Sequence, residues 1–556
     1  MPALTGSDID LTICHAHLAV DGREGHAVTI NGTVPGSLIR LREGQTVRLS
    51  VKNELDEDTS LHWHGVLVPF QMDGVPGLTF PGIKPGQTFV YEFPIIQSGT
   101  YWYHSHSGLQ EAEGQYGPIV IDPKDADPVA YDREHLVVLS DYSFTHPHMI
   151  FDRMKQQSGL FNYQKETVAG LLAGQDQTLR ERTLWAGMRM DPTDISDVTG
   201  AVLRFLVNGH GPQDNWTGLF KPGERVRLRF INTAAQMMFD VRIPGLKLTI
   251  VAADGQNIRP VEVDEFQIGN AETYDVVVQP TEDRAFTLVA EAVDRSGMAR
   301  ATLAPRIGMT APVPLLRERP LATMKDMGMD MSATSMGALP SGGMAGMAGM
   351  SATAPGMAPP KPPGSDALGG MSTSMRDASK APGVKMGPGV QTIAPMPMDR
   401  TGEPGQGLES VGHRVLVYQD LIALTPNPDM RAPSRALDIH LTGNMERFMW
   451  GFDGEKFSET TRPYSFRKGE RVRINLINDT MMAHPIHLHG HFFELAHGPA
   501  GFHPRKHTVI VLPGGKVAWD FTPVPGDWAF HCHMLNHMHA GMFQVFAVRP
   551  LEGTAA

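Results

Sequence analysis

His531-Cys532-His533-Met534-Leu535-Asn536-His537-Met538-His539-Ala540-Gly541-Met542 sets one thiol among imidazoles and thioethers, between the strand-like runs Trp519-Asp520-Phe521 and Phe543-Gln544-Val545-Phe546. A thiolate, imidazoles and a weak axial thioether make the trigonal blue-copper site that passes single electrons. Cys532, His537 and Met542 supply one of each. Neighbouring side chains on an extended chain face opposite ways. The Cys532 sulfur then points to one side and the His531 and His533 rings to the other, so two metal centres are joined through one or two residues of backbone.

Three further clusters carry the same residue types. His62-Trp63-His64-Gly65 and Trp102-Tyr103-His104-Ser105-His106 lie near the start, and His484-Pro485-Ile486-His487-Leu488-His489-Gly490 near the end. Each holds a His-x-His pair, as does the opening stretch. Residues two apart on a strand share a face at a spacing of roughly 6–7 Å. That spacing is awkward for one ion with ligand bonds near ~2 Å and suits two neighbouring ions. Four pairs give eight imidazoles, enough for three ions. His484 and His537 remain to complete the site of Cys532.

A repeat sets the architecture. Residues 44–53 (GQTVRLSVKN) recur as 223–232 (GERVRLRFIN) and 469–478 (GERVRINLIN). Each copy alternates apolar and polar residues, as a half-buried strand should. Upstream of each lies a turn dipeptide: Asn31-Gly32, Asn208-Gly209 and Asp453-Gly454. Abundant Gly and Pro (58 and 43) and short strand-like runs point to β-sandwich or barrel units. Three duplicated all-β domains are expected, over 1–125, 126–305 and 409–556. The middle one supplies none of the four pairs and reads as a spacer without copper. Within it, Met149 to Thr193 breaks the strand rhythm, and Leu171, Leu172, Leu179 and Leu184 predict a helical insertion.

Residues 306–408 are rich in Gly, Pro, Ala, Ser and Met, a composition that cannot offset its ordering entropy, so this segment is expected to be disordered. Fourteen methionines fall between Met324 and Met398. Thioethers are soft ligands that favour Cu(I), so the segment reads as a copper-capturing tract with additional Cu(I) sites rather than a plain linker.

Net charge is −12, from 60 acidic and 48 basic residues, with no basic patch, which argues against nucleic acid. No apolar run has bilayer-spanning length. The chain has two cysteines, Cys14 and Cys532; with Cys532 a copper ligand, no internal disulfide forms. Ile13-Cys14-His15-Ala16-His17 admits a second metal site, but reads more simply as a buried strand thiol beside imidazoles. No secretory leader is visible at the start.

In its four motifs, their order and the three-domain layout, the chain resembles the multicopper oxidase family, and most closely its bacterial copper-resistance branch. The resemblance spans nearly the whole chain and implies three cupredoxin-like Greek-key domains and four copper ions. His484, Cys532, His537 and Met542 would hold type 1 copper, and His62 and His487 type 2. His64, His104 and His533 would hold one type 3 ion, and His106, His489 and His531 the other. Asp73, in Met72-Asp73-Gly74, matches a family acid that feeds protons to oxygen chemistry. Met538 stands where some relatives carry a glutamate. Met482, two residues before His484, is a candidate ligand for substrate Cu(I), with Asp479, Met534 and Met538 as weaker ones.

The implied enzyme is a periplasmic, monomeric oxidase acting in copper tolerance. It would take electrons from Cu(I) or small phenolic and amine donors and reduce dioxygen to water. A ferroxidase or phenol-directed laccase is the enzymatic alternative, and a copper-sequestering resistance protein the non-enzymatic one.

Overall fold

All three repeats fold as interior strands with the same neighbours. Thr46–Asn53 runs parallel to Asp8–Val20 and antiparallel to Thr88–Pro94. Val226–Asn232 lies likewise between Arg133–Ser143 and Thr273–Val278, and Val472–Asn478 between Arg435–Asn444 and Gly515–Phe521. The asparagine closing each copy clamps the following turn. Asn53, Asn232 and Asn478 donate from Nδ2 to the carbonyls of Ile83, Ile268 and Val511. Their Oδ1 atoms accept from the amides of Leu55, Ala234 and Thr480.

The upstream dipeptides are tight hairpin turns, both residues at positive φ in each case (55° and 77° at Asn31-Gly32). The first residue's side-chain oxygen accepts the amide of Thr12, Val138 or His440, tying the turn to the adjacent strand. The repeat therefore consists of the residues that strand and turn chemistry demand.

The computed structural model describes residues 2–175, 177–329 and 375–550. Six sheets pair into three cupredoxin-like domains. The first has its own apolar core around Trp63, Tyr91 and Tyr103, whereas those of the second and third merge into one. That continuity fixes the second domain against the third.

The insertion comprises three short helices, Pro147–Gln156, Val168–Leu172 and Leu179–Gly187. Leu172, Leu179 and Leu184 face solvent, and Ile150, Met154 and Trp185 are the buried anchors instead. The leucine spacing thus marked helix without marking its packed face.

Of the segment 306–408 expected to be flexible, residues 306–329 and 375–408 take defined positions. Ala322, Met327, Val390, Ile393 and Leu408 are buried, and Met398–Asp399 adds a short parallel strand beside Gly515–Phe521. Charge-assisted bonds add to this apolar burial: Arg317 holds Glu265 and Glu291, and Arg400 holds Asp326. Met331 to Met371, and the Cu(I) capture expected of them, lie outside the described residues.

Candidate metal centres

Cys532 ends the strand Gly526–Cys532, which pairs antiparallel with His484–Leu488 in the register Ile486↔Cys532 and His487↔His531. That pairing brings His484 to the thiol, and the short helix Leu535–Ala540 returns His537 to it. Cys532 Sγ lies 3.6 Å from His484 Nδ1 and 3.8 Å from His537 Nδ1, and the two nitrogens are 3.2 Å apart. Such a triangle suits one ion at ~2.0–2.3 Å from each corner. Met542 is fully buried, and its carbonyl accepts the Cys532 amide at 3.1 Å. Burial pushes the Cys532 thiol far above its ordinary range, so it ionises only against a cation. The far nitrogens are anchored: His484 Nε2 to Thr480 Oγ1 and His537 Nε2 to Asp197 Oδ2, both at 2.7 Å. Anchoring the far side turns each Nδ1 inward.

On the opposite face of that strand, the first and third domains meet. The short strand His62–His64 pairs with Gly99–His104 in the register His62↔His104. Three sets of imidazoles converge: His62, His64 and His487; His64, His104 and His533; His106, His489 and His531. Within each set the potential ligand atoms lie within 4.8 Å of one another. His62 Nε2, His64 Nδ1, His104 Nε2, His487 Nε2 and His533 Nε2 are buried without a hydrogen-bond partner. His489 and His106 turn Nε2 toward His531 Nε2, at 3.0 and 3.4 Å. Buried polar atoms are almost always partnered. Eight imidazoles emptying lone pairs into one space fit a cluster of cations and little else.

The outer nitrogens explain this orientation. His62 Nδ1 meets the Asp73 carbonyl at 2.7 Å, and His489 Nδ1 meets Asp73 Oδ2 at 2.8 Å. Asp73 is fully buried, so one acid positions a ligand from each domain. His487 Nδ1 meets the His507 carbonyl at 2.7 Å, and His64 Nε2 lies 3.2 Å from His507 Nδ1. His104 Nδ1 lies 2.6 Å from Glu111 Oε2. The Glu111 carboxyl is held well above the usual carboxylate range, by burial first and Asp141 second.

Glu111, Thr480, His507 and Asp197 were not picked out from the sequence. Glu111 and Thr480 lie within five residues of a ligand, which was the available signal. Asp197 is separated from His537 by 340 positions and gave none.

Burial, followed by the neighbouring rings, lowers His64, His104, His106, His487, His489 and His533 well below the ordinary imidazole range, and His531 to about 4. The metal-free fold therefore keeps these rings neutral. Below the ordinary value of 6.5 the unfolded chain binds protons that the fold refuses, so stability is lost as pH falls from 6.5 toward 4. Urea midpoints of metal-free protein should drop steeply between those pH values, and a flat profile would contradict a neutral cluster.

Met482, Met534 and Asp479 do not offer an open docking face. Both methionines are buried in the core, and Asp479 is held by His440 Nδ1 at 2.7 Å and the Ala394 amide at 2.9 Å. Met538 packs against Leu109, Ala235 and Leu535. The open space near His537 is instead a cavity of about 230 Å³ lined by Asp191, Asp194, Asp197, Met190, Met445 and Glu446 together with Lys165 and Arg189, which pair with Asp191, Asp194 and Glu446. Most of this wall comes from the middle domain and its insertion. The spacer thus touches the Cys532 site directly.

Multicopper oxidase family models match residues 12–126, 161–306 and 430–552. The chain is 47% identical to copper resistance protein A of Escherichia coli, over 98% of this chain and 92% of that protein. It is 30% identical to multicopper oxidase MmcO of Mycobacterium tuberculosis, over 96% and 85%. Among solved structures, Fet3p, a multicopper oxidase that functions in iron import, superposes with a TM-score of 0.66 at 19% identity, covering 98% of this chain and 91% of its own.

Proposed function

This chain belongs to the multicopper oxidase family, and from that premise we propose that it oxidises Cu(I) one electron at a time, and phenols or amines less selectively, in copper tolerance. As a family member it is an oxidoreductase with dioxygen as acceptor, and its histidine clusters match type 1, type 2 and type 3 copper sites. In the proposed assignment His484, Cys532, His537 and Met542 hold type 1 copper, and His62 and His487 type 2. His64, His104 and His533 hold one type 3 ion, and His106, His489 and His531 the other. Bound copper would supply a one-electron acceptor at Cys532 and a three-electron store at the cluster, four electrons in all for one dioxygen. Residues 1–125 and 409–556 would carry the ligands, while 126–305 shapes the donor face. Asp73, whose Oδ2 accepts from His489 Nδ1, is proposed to relay protons to the oxygen chemistry. The protein is proposed to act as a periplasmic monomer. Among the described residues no helix is long and apolar enough to cross a membrane.

The observation that carries the choice of donor is the Asp197–His537 hydrogen bond at the wall of the cavity. Four carboxylates against two cations favour a positive donor there, and Met190 and Met445 offer the soft sulfurs that Cu(I) prefers. The relative named for copper resistance supports a role with copper. Oxygen uptake should be compared with Cu(I), Fe(II) and a bulky phenol as donors. Sustained uptake with excess Cu(I) is expected; uptake that stops at stoichiometric binding would mark a sequestering protein, and preference for Fe(II) or the phenol would mark the other oxidases. Asp197→Ala should lower kcat/KM for Cu(I) by about 10–100-fold, the usual cost of losing a carboxylate behind a ligating histidine. A smaller loss with the phenol would locate the effect at the cation site.

A further inference from the structure

The hairpin that opens the first domain carries a second cluster of imidazoles, outside the centres described above. Asp8–Val20 pairs antiparallel with Arg23–Ile30 in the register His15↔Val28 and His17↔His26. Side chains at cross-strand partners share a face, so His15, His17 and His26 stand together on the solvent side. Cys14 points the other way, its Sγ 3.4 Å from Thr29 Oγ1.

His15 Nδ1 and His26 Nε2 converge to 3.0 Å, with ring centroids 4.9 Å apart and planes at 44°. Each ring's other nitrogen faces a carboxylate. His15 Nε2 lies 3.6 Å from Asp56 Oδ1, and His26 Nδ1 lies 3.4 Å from Glu113 Oε2. Glu113 is only 10% exposed in its side chain, and His146 Nε2 approaches the same oxygen at 3.8 Å. Metal-ligating imidazoles commonly have a carboxylate behind their outer nitrogen, and here the exposed Asp56 and the buried Glu113 stand there at ion-pair distance.

We propose that His15 Nδ1 and His26 Nε2 form a surface Cu(II) site, separate from the oxidase centres. With bonds of ~2.0 Å, a separation of 3.0 Å subtends roughly a right angle at the ion. Adjacent corners of a tetragonal Cu(II) complex need that angle, whereas a linear Cu(I) pair would hold the nitrogens about 4 Å apart at the same bond length. The open solvent face leaves the remaining corners to water or to His17. The geometry stands whatever donor the oxidase uses.

Protein already loaded with its resident copper should be titrated with aqueous Cu(II), followed by calorimetry and electron paramagnetic resonance. Wild type should bind one more equivalent than the His15→Ala/His26→Ala variant, and that equivalent should show coupling to at least two nitrogens. Visible absorption of the Cys532 site should be the same in both. Glu113→Gln, which keeps both ligands, should weaken the added equivalent by about 10–100-fold. Equal Cu(II) uptake by wild type and the double variant overturns the site. Should the double variant not fold, His26→Gln serves the same comparison. These outcomes are independent of turnover with Cu(I).

Discussion

Cys532→Ser is expected to abolish the intense visible absorption of the copper-loaded protein and to reduce turnover at least ~10³-fold, about 4 kcal/mol in barrier. The sulfur is the soft, covalent corner of a triangle whose other corners are imidazole nitrogens at 3.6 and 3.8 Å. A serine oxygen is hard, and in a fully buried position its hydroxyl will not ionise. It can neither give the thiolate charge-transfer band nor serve as the conduit to residues 531 and 533. The backbone needs no adjustment, since the Cys532 amide still donates to Met542 and the strand register is unchanged. Copper content should fall by about one per chain, because the eight-imidazole cluster lies on the far side of the strand. Turnover within ~10-fold of wild type would mean that electrons reach the cluster without this residue.

What the sequence disclosed and what it hid divide along sequence distance. The His-x-His pairs and the Cys532 stretch are local patterns, because strand alternation sets which side chains share a face. The repeat was visible for the same reason: Asn53, Asn232 and Asn478 close turns within a few residues of themselves. Asp197 reaches His537 from the middle domain, and His507 reaches His64 across 443 positions, so neither left a local trace. Leucine spacing around 171–184 predicted helix, but which face packs depends on neighbours the spacing cannot specify. The flanks of the Met-rich segment are held by arginine–carboxylate bonds, which a count of apolar residues does not register.

Lys506→Met is expected to cost about 3–5 kcal/mol, the usual result of removing one partner from a buried ion pair. Lys506 is completely buried, its Nζ 3.1 Å from Asp254 Oδ2 and 3.0 Å from Glu272 Oε1, both also fully buried. Burial opposes the ammonium, but the two carboxylates outweigh it and keep it charged. Methionine fills the same length without charge and leaves two carboxylates facing each other between the second and third domains. Asp254 Oδ2 also accepts the His507 and Thr508 amides at 3.1 Å, and those residues back His64. The variant should therefore lose both urea resistance and copper from the histidine cluster. Its deficit should depend on pH. Burial already raises Glu272 above its ordinary value, and without the ammonium it rises further, so the fold takes up a proton that the unfolded chain does not. That uptake favours the fold as pH falls, and the gap between variant and wild type should narrow from pH 8 to pH 5. Adding Asp254→Asn and Glu272→Gln removes the stranded charges and should recover most of the loss. If the triple variant is no more stable than Lys506→Met alone, the cost lies in packing and the electrostatic account fails.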